Sequence, residues 1–87
     1  MKLKNGFVLR KVAGQTVVLP AGENLDLNMM ITLNDTGEFL WTKLEREVTE
    51  DDLVAALLQE YDVDEQIAKQ AVQGFIATLE RHEFLEN

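Results

Sequence analysis

Apolar residues form short runs in the first part of this chain and follow helical spacing in the rest. Before residue 34, short runs rich in apolar and β-branched residues occur at about 7–12, 16–20 and 29–33, which is typical of strands. Gly14 lies in the short connection 13–15, so the first two strands are expected to form a hairpin. Pro20 has no backbone N–H and should end the second strand. The pattern predicts three short strands before residue 34.

The rest of the chain has apolar residues at helical spacing. It predicts three helices, over about 35–47, 50–61 and 65–82, with Phe84 and Leu85 folding back on the core. A favoured N-cap residue precedes each helix, namely Asn34, Thr49 and Asp64. The faces expected to be buried contain Leu40, Trp41 and Leu44, then Leu53, Val54, Leu57, Leu58 and Tyr61, and finally Ala68, Val72, Phe75, Ile76 and Leu79.

The order of the elements limits the fold class. Strands that are separated from helices along the chain favour an α+β fold over an alternating βαβ sheet. A three-stranded sheet needs its apolar face covered, and the helices are the material available to cover it. We therefore predict one α+β domain over residues 1–87, a length that fits one domain, with the third strand at a sheet edge or near one helix.

Composition narrows the environment of the protein. The absence of cysteine excludes disulfides and thiol chemistry, and a single histidine argues against a structural zinc site. No apolar run approaches the length of a membrane span of about 18 residues. The first six residues lack the apolar core and cleavage site of a signal peptide. We expect a soluble cytoplasmic protein.

Charge is distributed unevenly. The net charge is −8, with 16 acidic and 8 basic residues. Residues 1–20 contain four of the basic residues, Lys2, Lys4, Arg10 and Lys11, and no acidic residue. The body that follows is strongly acidic and would repel phosphate groups, so binding to nucleic acid is disfavoured.

The residues that could carry catalysis are explained by local structure. His82 lies near the end of the third helix, where it complements the helix dipole. The acidic residues 50–52 begin the second helix and do not have the spacing of a calcium loop. The five glycines are scattered and form no phosphate loop. We therefore expect no enzyme activity, no cofactor and no metal.

The edge of the predicted sheet is the remaining candidate site. An outer strand has unpaired N–H and C=O groups to which an extended peptide can add as a further strand. Met29 and Met30 suit such a surface, because methionine is flexible and repacks around different partners. They are equally compatible with one core and one ordinary surface position.

Taken in order, these segments resemble the coenzyme PQQ synthesis protein D family. That family contains stand-alone peptide-recognition domains of pathways that modify ribosomally made peptides. The resemblance covers nearly the whole chain. Its landmarks are residues 7–10, 12–14, 31–37, 40–41, 49–53 and 61–64, followed by the spacing of Val72, Phe75 and Leu79.

The resemblance implies a winged-helix-like fold and a non-catalytic chaperone. Such a domain binds the leader segment of a precursor peptide as a strand beside its third strand, in a groove against its third helix. It then presents the peptide to a modifying enzyme, often a radical SAM protein. Carried over to this chain, the strand side is Met29, Met30, Ile31, Thr32 and Leu33, and the helix side is drawn from Lys69, Val72, Gln73 and Ile76.

Three alternatives remain open at this point. A winged-helix regulator that binds nucleic acid would share the architecture, but the third helix sets only Lys69 and Arg81 against Glu65 and Glu80. A small enzyme would need a set of catalytic groups that the sequence does not supply. An open edge could instead pair with a second copy and form a homodimer.

Overall fold

The computed structural model describes residues 1–20 and 31–86. The predicted connection 21–28, together with Met29 and Met30, lies outside these residues. The observed elements are β1 (Lys2–Leu3), β2 (Phe7–Val12), β3 (Gln15–Pro20), β4 (Ile31–Leu33), α1 (Asp35–Lys43), α2 (Glu50–Glu60), α3 (Glu65–Arg81) and β5 (Leu85–Glu86).

A three-stranded antiparallel sheet and three helices form the body of the domain, which confirms the predicted α+β class. The strand order is β2-β3-β4, so the strand predicted as third is an edge strand in the described part of the chain. Val12 pairs with Gln15, leaving a turn of two residues. Ala13 and Gly14 have φ angles of 52° and 81°, as the mirror-image turns that suit strand twist require.

Side-chain caps start all three helices at the predicted places. The Asn34 side chain accepts a hydrogen bond from the Gly37 N–H, and Asp64 accepts one from Ile67. Thr49 and Asp52 form a reciprocal capping box. Each cap satisfies backbone donors that would otherwise have no partner, and so fixes where the helix begins.

Helix α1 ends at Lys43, about one turn earlier than the predicted end near residue 47. Leu44 caps it and is completely buried. The Val48 N–H then donates to the Met1 carbonyl oxygen at 2.9 Å. A contact with the N-terminus therefore takes the place of further helix, which helical periodicity could not have shown.

The core lies between the sheet and the helices. Most of the predicted inner faces are buried in one cluster that includes Val18 of β3. Leu58 is an exception, because 38% of it is exposed and the prediction that it is buried was wrong. It lies 100° around α2 from the buried Leu57, beyond the edge of the apolar stripe.

The two ends of the chain meet in a second, two-stranded sheet. Leu3 of β1 pairs with Leu85 of β5. Phe84 is completely buried, with its ring centroid 4.5 Å from that of Phe7 and 5.7 Å from that of Trp41. The predicted return of Phe84 and Leu85 to the core is confirmed, whereas the pairing with β1 was not predicted.

Candidate functional site

Strand β4 has one open edge among the described residues. It pairs with β3 through Thr16–Leu33, Val17–Thr32 and Val18–Ile31, and the sheet ends there. Helix α1 begins only two residues after β4 ends. The unpaired backbone groups of β4 therefore lie close to the start of α1.

A groove of about 650 Å³ lies beside this strand. All three residues of β4 line one side, and α3 contributes Phe75 and Thr78. The hairpin turn and the first turn of α1 complete it. The remaining lining residues are Lys11, Gly14, Gln15, Thr16, Asn34, Asp35 and Gly37.

Gly37 controls how closely the walls of the groove approach one another. A Cβ atom added there would lie 3.2 Å from the Asn34 Oδ1 atom. It would also lie 3.4 Å from the Leu33 Cδ2 atom and 3.4 Å from the Phe75 Cε1 atom. These distances are at the short limit of van der Waals contact, so a residue without a side chain lets β4, α1 and α3 converge at this point.

The end of the groove next to the hairpin is polar. Thr16 is buried, and its hydroxyl group donates to the Glu38 Oε2 atom at 3.0 Å. The Lys11 Nζ atom lies 3.8 Å from the same carboxylate oxygen. Apolar side chains from Ile31, Leu33 and Phe75 also line the groove. An occupant would meet both polar and apolar side chains.

A second depression, of about 330 Å³, continues the groove between α1 and α3. The two cavities share Asn34, Gly37, Phe75 and Thr78. The continuation passes the small residues Ala71 and Gly74 of α3. The groove is therefore longer than the three residues of β4 alone.

The predicted site residues divide into two groups. Ile31, Thr32 and Leu33 line the groove as expected from their position on β4. The four residues predicted on α3 are all absent from the described lining of the groove. Val72 and Ile76 are buried in the core, Lys69 lies in a separate depression with Asp64, Glu65 and Gln66, and Gln73 is exposed.

The orientation of α3 explains this division. At 100° per residue, Lys69 and Gln73 lie on one flank of the buried stripe, while Ala71, Phe75 and Thr78 lie on the other. Periodicity identifies the buried stripe but not which flank faces the sheet. One signal was present in the sequence, because the flank that faces β4 has no charged residue at these positions.

The family comparison covers residues 15–85, which match coenzyme PQQ synthesis protein D, PqqD. This chain belongs to the PqqD family. The resemblance inferred from the sequence is thereby confirmed, and the matched range includes β3, β4, all three helices and the residues of the groove from Gln15 onward. A comparison with curated proteins finds no match.

Two solved structures resemble this PqqD-family chain over almost its whole length. TbiB1 in complex with the TbiA(beta) leader peptide has 25% sequence identity and a TM-score of 0.77, and covers 100% of this chain and 96% of its own. Lasso peptide synthetase B1 complexed with the leader peptide has 19% identity and a TM-score of 0.72, with coverage of 99% and 96%. The second likeness concerns the fold alone.

The remaining candidate residue of this PqqD-family chain, His82, has a structural role. His82 caps α3 and stacks on Phe84 with ring centroids 5.6 Å apart. Within residues 1–20 and 31–86, no group of three or more His, Cys, Asp or Glu residues could hold a metal ion. Over the same ranges, every helix is too short or too polar to cross a bilayer.

Proposed function

We propose that this chain binds the leader segment of a ribosomally made precursor peptide. The leader adds as a strand to the open edge of β4, and its side chains enter the groove between β4 and α3. The single observation that carries this proposal is the coincidence of an open strand edge with an adjoining groove. Family membership and the leader-peptide complex of TbiB1 support it.

Strand addition divides the work between backbone and side chains. Hydrogen bonds to the β4 backbone supply affinity that depends little on the peptide sequence, and side-chain pockets supply selectivity. On the strand side we assign Ile31, Thr32 and Leu33, with Met29 and Met30 as a predicted extension. On the helix side the geometry favours Phe75 and Thr78 over the four residues that the sequence suggested.

The domain acts in this proposal as a cytoplasmic, non-catalytic chaperone. It holds the leader while a separate modifying enzyme, for example a radical SAM protein, acts on the rest of the precursor. The sequence supplies no nucleophile with a neighbouring base, which favours recognition over catalysis. The polar and apolar zones of the groove suit a leader with both kinds of side chain.

An amide-shift titration of the isotope-labelled protein tests the proposal. The probes are overlapping synthetic peptides that cover the precursor encoded beside the gene of this chain. We expect one peptide to shift the amide signals of 31–33 and of Phe75 and Thr78. A folded protein that responds to none of the peptides, or only at residues away from the groove, would contradict the proposal.

The open edge favours one competing arrangement, in which β4 pairs with β4 of a second copy. Such a homodimer would bury the edge that the leader needs. Sedimentation with and without the peptide separates the two states. Leader binding by strand addition predicts that the peptide converts any dimer into a peptide-bound monomer.

A further inference from the structure

Exposed apolar side chains lie close together in the sequence around the link between α2 and α3. The described residues include four exposed large apolar residues, and three of them are Leu58, Val63 and Ile67, with exposed fractions of 38%, 39% and 52%. Leu58 lies in the last turn of α2 and Ile67 in the first turn of α3. All three therefore lie at the same end of this helical hairpin.

Acidic residues surround these side chains. Residues 60–65 contain Glu60, Asp62, Asp64 and Glu65 and no basic residue. We call residues 58–67 the acidic corner. The nearest basic residue along the chain is Lys69, whose Nζ atom lies 3.5 Å from the Glu65 Oε1 atom.

Helix formation accounts for only two of these acidic groups. Asp64 caps α3, and Glu65 lies at the positive end of its dipole. Glu60 lies at the opposite, negative end of α2, where an acidic group is unfavourable and where α2 has no basic residue in its last turn. Asp62 lies in the link, outside both helices. No ion pair within residues 1–20 and 31–86 involves either carboxylate.

The combination resembles the anatomy of a transient protein interface. Exposed aliphatic side chains gain by leaving water when a partner covers them. A charged rim that is unfavourable within the isolated fold selects the partner and speeds its approach. A partner that complements this surface has an apolar patch rimmed by lysine or arginine.

The acidic corner is separate from the groove. Ile67 and Phe75 are eight residues apart on α3, which corresponds to about 12 Å along the helix axis. Thr78 is a further turn away. A partner at the corner would therefore leave the open edge of β4 accessible, and both surfaces could be occupied at the same time.

We infer that the acidic corner docks the modifying enzyme, through an apolar patch on that enzyme rimmed by basic residues. The identity of the partner rests on the proposed function, whereas the surface is argued from its own residues. Docking here would hold the enzyme on one end of α3 while the leader lies along the other. The domain would then tether substrate to catalyst without contacting the reacting residues.

A pair of charge reversals tests the electrostatic contribution to docking at the acidic corner. Glu60→Lys removes an acidic group from the last turn of α2, and Glu80→Lys makes the same change in the last turn of α3. Both should raise the midpoint of thermal unfolding, because each favours the helix dipole. Only Glu60→Lys should weaken binding to the purified modifying enzyme encoded beside this gene, by about tenfold in biolayer interferometry.

A second matched pair tests the apolar part. Ile67→Thr and Val12→Thr each replace a β-branched residue that is about half exposed, 52% and 55% respectively. We expect Ile67→Thr to weaken enzyme binding several-fold and Val12→Thr to leave it unchanged. Leader-peptide affinity should be unchanged in both variants, since neither residue lines the groove.

The inference is overturned if the wild-type chain does not bind the enzyme, or if Glu60→Lys and Glu80→Lys affect binding equally. Equal effects would mean that net charge alone matters. The enzyme measurement is made without peptide, and the peptide titration without enzyme. A failure of leader binding therefore rejects the proposed function, while a failure of docking rejects only the acidic corner.

Discussion

The two outer strands of the sheet, β2 and β4, differ in what lies beside their open edges. Each pairs on one side only among the described residues. Strand β4 adjoins a groove that α3 helps to form, whereas the far end of β2 presents exposed Arg10 and Val12. Charges of this kind protect an edge from unwanted pairing. An open edge is therefore a candidate site where a neighbouring element adds side-chain pockets.

Proline substitutions should give the largest difference between the two edges. Successive strand residues direct their N–H groups to opposite sides. Of Ile31→Pro and Thr32→Pro, one removes a donor from the open edge and the other removes one from the ladder with β3. The variant that loses the open-edge donor should remain folded. It should weaken leader binding about 100-fold in a titration, because a backbone hydrogen bond is lost and the proline ring obstructs pairing.

The matched control is the pair Leu9→Pro and Arg10→Pro on β2. One of these also removes an outward donor, and it should leave leader affinity within about twofold of wild type. Circular dichroism identifies the folded member of each pair. Equal loss of binding from both edges would contradict the assignment of the site to β4.

Filling the groove should have the next largest effect. Thr78→Trp places a large side chain on the flank of α3 that lines the groove, and should weaken leader binding about tenfold, or about 1.4 kcal/mol. Gln73→Trp makes a comparable change on the opposite flank and should have little effect. Calorimetric titration measures both. A stronger effect at Gln73 would show that the leader uses the other flank.

Removal of the Asn34 helix cap should have a smaller effect, on both the stability of the fold and the affinity for the leader. Asn34→Ala should lower the free energy of unfolding by about 1 kcal/mol, because the Gly37 N–H loses its acceptor. Thr49→Ala removes the corresponding cap of α2 and should cost about as much. Since Asn34 lines the groove, only its replacement should also reduce leader affinity. Thermal unfolding and peptide titration of both variants check this.

The smallest expected effect lies in the turn between β2 and β3. Ala13 has a positive φ angle, which is unfavourable for any residue with a side chain. Ala13→Gly should raise the free energy of unfolding by about 0.5 kcal/mol. Thermal unfolding should show a small increase in the midpoint, with leader affinity unchanged. A decrease would mean that the greater freedom of glycine in the unfolded chain outweighs the relief of strain.

Local patterns predicted most of the fold. Strand runs, cap residues and helical spacing located β2, β3 and the three helices, because each depends on neighbours within a few residues. The prediction erred where a distant segment decided the outcome. After α1, the Val48 N–H donates to the Met1 carbonyl oxygen instead of continuing the helix. Strand β1 near the N-terminus pairs with β5 near the C-terminus.

The sequence was enough to predict the family, the α+β class and the three residues of β4 that line the groove. The folded arrangement was needed to show which flank of α3 faces β4, and it adds Phe75 and Thr78 to the lining of the groove. The apolar stripe of a helix identifies its buried face. It does not identify the neighbour of either flank, because both flanks border the stripe in the same way. At Gly37, the close approach of Leu33 and Phe75 brings β4, α1 and α3 together.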